Sequence, residues 1–440
     1  VNYSTALLTD QYELTMVQAA LRSGAANRYC TFEVFTRRLP AGRRYGVVAG
    51  TGRLLEGLER FRFGQQELDY LDQHSIVDDD TLNFLAGYRF GGDIIGYAEG
   101  ETYFPHSPVL QVSASFAEAC LLETYVLSVM NHDSAIAAAG SRMVTAAGGP
   151  PESGGRPCVE MGSRRTHERS ATSAARAAAA VGFAATSNLE AGRRWGVPTL
   201  GTSAHAFTLL HDTEEEAFAA QVEAFGPGTT LLVDTYEVEA AVRTAVRIAG
   251  AELGAVRLDS GDLLEQAHEV RRLLDSLGNT ATRIIVSSDL DEHAIAGLAA
   301  APVDSYGVGT RLVTGSGAPT ASMVYKLVQR HDDAGTPVAV EKSSVGKASA
   351  GGKKQALRSL DGNGRAEAEI IAARTPLSQT EYSGRGLQVP LVLGGEVQSG
   401  HTGPEGLHRA AQRHRASFDE LPAAAHRLSD GEPVIPTVFA

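Results

Sequence analysis

Cysteine is scarce: Cys30, Cys120 and Cys158 are spread along 440 positions, with no CxxC pair among them. That excludes a disulfide framework and a cysteine-based structural zinc site. It suits a reducing compartment, so a soluble, cytoplasmic protein is expected. Long apolar runs are also missing. No segment reaches the ~20 residues that a helix needs to cross a bilayer, and no basic-then-apolar leader opens the chain. Because position 1 is valine, a short N-terminal piece is expected to precede it. A GxGxxG fingerprint after the first strand-like segment is absent, which counts against a dinucleotide-binding sheet. Basic excess is lacking too. Lys and Arg total 39 against 52 Asp and Glu, a net charge of -13, so neither nucleic acid nor membrane is an expected partner.

What remains is an ordinary globular composition, 43% hydrophobic and 21% charged, on a chain long enough for two domains. Three basic islands stand out on the acidic background: "TRRLPAGRR" (36–44), "RRTHER" (164–169) and "GKKQALR" (352–358). Such islands are either solvated surface or a site for a small polyanion such as a phosphorylated sugar. Near the N-terminus "DQYELTMVQAALRSG" predicts a helix from a capping Asp10 to Gly24. "YCTFEVFTRRLP" then alternates like a strand that Pro40 closes. Residues 116–147 predict a long helix broken near Asn131, and "GGPPESGGRP" a loop.

From Cys158 onward seven short apolar runs, "CVEM", "FAATS", "PTLGT", "TTLLVDT", "GAVRLDS", "RIIVSSD" and "DSYGVGT", alternate with helix-like segments. Alternation of this kind implies parallel pairing. It predicts most of an α/β barrel, with a doubly wound open sheet as the alternative. The polar, Gly-rich tail from about residue 346 is expected to return to the first domain. The expected domains are therefore 1–115 with 346–440, and a barrel at 116–345.

Every apolar run is followed by small, hydroxylic or charged residues, and barrel chemistry collects at the carboxyl ends of the strands. In "VRLDSGDL", Arg257 interrupts an apolar strand two residues before Asp259, so both side chains point the same way. The pair is either structural or a site that holds ribose hydroxyls on the carboxylate and an anion on the guanidinium. Ser260 and Gly261 follow in a turn rich in backbone N–H. "SSDLDE" and "GVGTRL" add Ser288, Asp289, Gly307, Gly309 and Thr310, a pattern suited to a phosphate cradle. In "GTSAHAF", His205 stands alone among small residues as a core histidine, a metal ligand or a reacting group.

The motifs "TDQYELTM", "FEVFTRRLP", "EMGSRR", "ATSNLEAG", "GTSAHAF", "VRLDSGDL", "VYKLV" and "GKKQALR" together resemble the nicotinate phosphoribosyltransferase family over nearly the whole chain. The resemblance implies an irregular, about seven-stranded parallel α/β barrel of the type II phosphoribosyltransferase kind. An α/β N-terminal domain, completed by C-terminal segments, goes with it, as does a homodimer with shared active sites. It implies coupling of nicotinate and 5-phosphoribosyl 1-pyrophosphate to nicotinate mononucleotide, with Mg2+ and with ATP as co-substrate. His205 would be the phosphorylated residue. Tyr12 would stack on the pyridine ring from across the dimer, and Met161 falls where nicotinamide-using relatives have a stacking phenylalanine. Arg164 would meet the substrate anion. Ser187 stands where those relatives carry an aspartate, so a hydroxyl replaces a carboxylate that would repel nicotinate; Thr202 would donate beside it. Arg257 and Asp259 would hold the phosphoribosyl substrate. Ser260, Gly261, Ser288, Asp289, Gly307, Gly309 and Thr310 would cradle phosphate, with Lys326, Lys347 and Lys353 near pyrophosphate.

The alternatives are a nicotinamide or quinolinate phosphoribosyltransferase, a metal-dependent barrel aldolase or isomerase, and a non-catalytic binding protein. An aldolase wants a strand-end lysine for a Schiff base, and none precedes Lys326; a metal enzyme wants partners for His205 that the sequence does not show.

Overall fold

The structure, a computed structural model, describes residues 3–40, 42–341, 350–373, 377 and 383–440. They fall into two units, Val1–Ala138 with Ala318–Ala440, and Ala139–Gly317. The cuts thus lie at 138/139 and 317/318, where the sequence placed them at 115/116 and 345/346. Two features account for the difference. The strand Met323–His331 pairs antiparallel with Tyr29–Thr36, which assigns the chain after residue 317 to the first unit. Val126, Val129 and Met130 of the helix Glu123–Ala146 belong to the first unit's core, so the first cut falls inside that helix.

The first unit is built on a seven-stranded sheet in the order Pro337–Ala339, Met323–His331, Tyr29–Thr36, Leu110–Ser115, Asp93–Tyr97, Gln388–Leu393 and Glu396–Val397, every pair antiparallel. Tyr29–Thr36 lies third in this order and is buried from its second residue onward, so the alternation expected of it is not seen in its burial. Its polar residues are satisfied internally instead. Glu33 receives Lys354 Nζ at 2.8 and 3.0 Å and Gln111 Nε2 at 3.0 Å. Of the two lysines in "GKKQALR", Lys354 is therefore a buried structural cation while Lys353 is exposed. A four-stranded sheet, ordered Gly384–Gly386, Gln355–Leu360, Ala366–Ala372 and Thr437–Phe439, completes the unit. At its centre the fully buried Arg358 donates to Glu101 at 3.0 Å, the carbonyl of Thr102 at 2.7 Å and Glu369 at 3.1 Å.

The expected break near Asn131 is not there. A short helix Phe116–Cys120 ends first, and Glu123–Ala146 then runs unbroken through residue 131. The Asn131 amide is occupied elsewhere: its Oδ1 accepts from the N–H of Met323 at 2.7 Å and its Nδ2 donates to the Met323 carbonyl at 3.2 Å.

The second unit holds six parallel strands: β1 (Cys158–Glu160), β2 (Ala185–Thr186), β3 (Thr230–Leu232), β4 (Ala255–Leu258), β5 (Arg283–Ser288) and β6 (Ser305–Val308). Their order is β2-β1-β6-β5-β4-β3. The first strand thus pairs with the last, which curls the sheet. Six of the seven expected runs enter the ladder. The remaining run, "PTLGT", is held by one bridge between Thr186 and Thr199. Its Pro198 has no N–H to give, and Leu200 and Gly201 beside it are exposed, so neither pairing nor burial extends it. Helices between the strands open on side-chain caps: Asn188 accepts from Ala191, Asp262 from Leu264 and Glu265, and Asp291 from His293 and Ala294. Part of the polarity at the strand ends is therefore capping. Among the described residues no helix is long and apolar enough to cross a membrane.

The first helix, Gln11–Ser23, ends at Gly24 with φ +78°, as the sequence predicts, and buries Glu13, Leu14, Val17 and Ala20. Glu13 hydrogen-bonds Thr9 and accepts from the N–H of Thr124 at 2.8 Å. Burial, above all, pushes its carboxyl up from 4.5 to about 7. A raised carboxyl binds its proton more tightly in the fold, so its contribution is complete below pH 4.5 and lost as pH rises through about 7. The size is at most roughly 3 kcal/mol. Glu13→Gln, which stays neutral, should flatten that fall in stability; urea unfolding across the same pH range reads it directly.

Candidate active site

Because all six strands run the same way, their C-terminal residues arrive at one edge of the sheet. His205 starts the helix His205–Leu210, with its side chain 39% exposed. Its Nδ1 lies 3.1 Å from Thr235 Oγ1. Its Nε2 lies 3.8 Å from Asp234 Oδ1 and 3.9 Å from Asp259 Oδ2. This is not a histidine in apolar packing; it faces two carboxylates.

Asp234 was not singled out from the sequence, although it directly follows the β3 run in "LLVDT". Its side chain is only 3% exposed. Oδ2 accepts from the backbone N–H of Asp259 at 2.9 Å and from the Ser260 hydroxyl at 2.7 Å, which ties the end of β3 to the end of β4. Oδ1 is buried without a hydrogen-bond partner among the described residues. A buried acceptor left unmatched is costly, and it marks a place where a ligand can complete the site.

Arg257 and Asp259 share the β4 end, and each has its own partner. Arg257 Nη1 donates to Thr202 Oγ1 at 2.5 Å, and its Nε is buried and unmatched among the described residues. Asp259 Oδ1 accepts from the Ser287 hydroxyl at 2.5 Å. Burial lowers the Arg257 pKa; Asp259 and Asp234 oppose the shift, and the Arg164 guanidinium adds to it. Two guanidiniums that repel each other gain from an anion placed between them. Arg164 itself is exposed on the turn Ser163–Arg165, and Ser187 is exposed just after β2.

On the phosphate side, Thr310 Oγ1 reaches Asp289 Oδ1 at 3.4 Å. Ser287, missed in the sequence, is buried and bonded to Asp259, whereas its neighbour Ser288 is exposed. The alternation of a strand says that the two differ in facing, but not which one faces the site. Gly261 adopts φ +84° over the Gln266 side chain. Gly309 caps the short helix Thr310–Val313. Met161 packs over Gly307. A Cβ at Gly307 would lie 2.7 Å from Met161 Sδ and 2.9 Å from Ser287 Cβ.

Tyr12, Lys326 and Lys353 belong to the first unit. Tyr12 is 45% exposed and off the buried face of its helix, so it is not a core tyrosine. Burial, then Glu123 and Glu13, push its phenol up to about 12. Lys326 Nζ lies 3.5 Å from Glu123. Lys347 lies outside the described residues.

Gly307→Ala should destabilise the protein by about 1–3 kcal/mol through overpacking against Met161 and Ser287, read as a lower urea midpoint at unchanged slope.

Comparison with known proteins identifies the family. Residues 7–131 match the nicotinate phosphoribosyltransferase (NAPRTase) N-terminal domain, and residues 157–369 match the nicotinate phosphoribosyltransferase (NAPRTase) family. A nicotinate phosphoribosyltransferase of Mycobacterium tuberculosis is 57% identical, over 98% of this chain and 94% of that protein. One from Bacillus subtilis is 36% identical, over 84% of this chain and 76% of that protein. The crystal structure of human nicotinic acid phosphoribosyltransferase superposes with a TM-score of 0.82 at 25% identity, covering 98% of this chain and 97% of that one. With two matching family domains and a relative of this identity across its length, the chain belongs to the nicotinate phosphoribosyltransferase family.

Proposed function

We propose that this site joins nicotinate to 5-phosphoribosyl 1-pyrophosphate, giving nicotinate mononucleotide and pyrophosphate, and that ATP drives it through His205. The observation that carries the reading is the convergence at one rim of Arg257, Arg164 and Asp259 with two buried polar atoms, Arg257 Nε and Asp234 Oδ1, that lack partners among the described residues. The pyridine nitrogen attacks C1 of the ribose as the C1–O bond to pyrophosphate breaks. That nitrogen carries no proton, so no general base is needed. Catalysis rests on orientation and on stabilising the leaving charge. In this reading Asp259, held by Ser287, accepts from ribose hydroxyls, and the amides around Gly307, Gly309 and Thr310 receive the 5-phosphate.

Arg257, aligned by Thr202, and Arg164 meet the carboxylate of the pyridine. Ser187 supports nicotinate over nicotinamide. A carboxylate there would oppose the substrate acid by roughly 4 kcal/mol at contact distance and intermediate dielectric. Met161 offers a thioether to cover a ring face, and Tyr12, Leu8 and Met16 expose apolar surface that suits a homodimer sharing its sites.

Nε2 of His205 faces the two carboxylates, and Nδ1 lies on the other side of the ring next to Thr235. In the proposed coupling Nδ1 attacks the γ-phosphorus of ATP, a P–N bond forms and ADP departs; water later releases phosphate. Among the described residues no three His, Cys, Asp or Glu side chains are grouped to hold a metal alone. Asp234, whose Oδ1 has no hydrogen-bond partner among the described residues, and Asp259 would help to hold a Mg2+ ion. Bound there, the ion would offset the charge of the leaving group. A full barrel, with the segment at Thr199 closing toward β3, is part of this reading. So is a reducing cytoplasm, which suits three buried free thiols that burial pushes up to about 12.

Purified protein supplied with 5-phosphoribosyl 1-pyrophosphate and Mg2+ should convert nicotinate much faster than nicotinamide; equal turnover would overturn the acid selectivity. ATP should speed the reaction. His205→Ala should keep a slow synthesis that ignores ATP, and stimulation surviving in that variant would sink the phosphohistidine.

A further inference from the structure

Glu160 ends β1, in "CVEMGSRR", with no surface exposed. Its carboxyl is shared between two neighbouring turns. Oε1 accepts from the N–H of Gly162 at 2.5 Å, and Oε2 accepts from the Thr186 hydroxyl at 2.5 Å. The Glu160 carbonyl accepts from the N–H of Ser187 at 2.8 Å. Burial raises the pKa of this carboxyl, and the two donors oppose that shift. Among the described residues the influences on it include no neighbouring cation, unlike those on Glu33 or Glu101. A carboxyl buried in this way costs stability unless its bonds return something.

What the bonds hold is specific. Gly162 opens the turn Ser163–Arg165, and its position tolerates no side chain. A Cβ there would lie 2.3 Å from Val313 Cγ1 and 3.1 Å from the Gly309 carbonyl. Thr186 is the last residue of β2, and its Oγ1 also accepts from the N–H of Asn188 at 2.9 Å. Asn188 in turn donates from Nδ2 to Ser163 Oγ at 3.0 Å, a second tie between the same two turns. One turn carries Arg164 and the other Ser187.

We infer that Glu160 is a positioning residue for acid recognition: its carboxyl locks the Arg164 turn to the Ser187 strand end and so sets the spacing of the groups that meet the pyridine carboxylate. The inference rests on the function proposed above. It separates Glu160 from the β4 and β5 ends, where Asp259 and Ser287 address the ribose. Loss of the tie should therefore be felt by one substrate and not by the other.

The test is steady-state kinetics on the full chain with each substrate varied in turn. Glu160→Ala and Thr186→Val should raise KM for nicotinate on the order of tenfold, while KM for 5-phosphoribosyl 1-pyrophosphate stays within about twofold. Glu160→Gln keeps an acceptor for Gly162 and offers Nε2–H to the Thr186 oxygen. It and Thr186→Ser should stay within about threefold of the parent on both substrates. Should Glu160→Ala fail to fold, the Thr186 pair decides. An unmoved nicotinate KM, or both KM values rising together, overturns the positioning role. A parent protein that leaves nicotinate unused overturns the proposed function and this inference with it; a parent that uses it, with unmoved variants, overturns this inference alone.

Discussion

The hydrogen bonds between β1 and β6 determine most of what the second unit can do. Tyr306, Gly307 and Val308 lie in register with Cys158, Val159 and Glu160, joining strands separated by nearly the whole unit. Without that pairing the alternating strands and helices could spread as an open sheet, with the "EMGSRR" and "GVGTRL" turns at opposite edges. With it, the turns meet: the Met161 N–H donates to the Val308 carbonyl at 2.7 Å, and the Met161 side chain lies over Gly307. Parallel order then sends every strand end to the same rim. The chemistry is assembled from segments that have no contact along the sequence.

That rim concentrates charge at some cost. Asp234, Asp259 and His205 stand close together, and Arg257 is desolvated within reach of the Arg164 field. The arrangement persists because each carboxylate has donors of its own. Asp234 has the N–H of Asp259 and the Ser260 hydroxyl; Asp259 has Ser287. Neutral donors leave the formal charges available to ligands, whereas a direct Arg257–Asp259 pair would have consumed both. In the ion pair Lys354–Glu33, by contrast, the charges are closed on each other and on Gln111.

Residues that break a local pattern were legible in the sequence. Arg257 inside an apolar run, the lone His205 and the glycines of "GVGTRL" all reached the rim. The first helix was legible too, its bounds lying within a residue of Asp10 and Gly24, although among the described residues the Asp10 side chain finds no capping donor. Residues that need a partner far along the chain were hidden. Asp234 is one acidic strand end among several until the neighbouring strand brings the Asp259 N–H to it. Glu160 looks like an ordinary strand terminus until Thr186 arrives. Ser287 and Ser288 differ only in facing, which depends on twist. Asn131 resembles a helix breaker because its role as a cap for Met323 is set by chain nearly two hundred residues away. In each of these cases a partner distant along the chain decided the outcome.

The first unit is sewn together from the two ends of the chain. Tyr29–Thr36 needs Met323–His331 on one side, Asp93–Tyr97 needs Gln388–Leu393, and Glu101 waits for Arg358. While the protein is being synthesised, the ribosome must finish the whole intervening unit before any of these partners exists. The nascent N-terminal sheet therefore emerges with two unpaired strand edges and a buried-type glutamate still lacking its guanidinium. The sheet of the second unit makes no such demand, because all of its strands lie between residues 158 and 308.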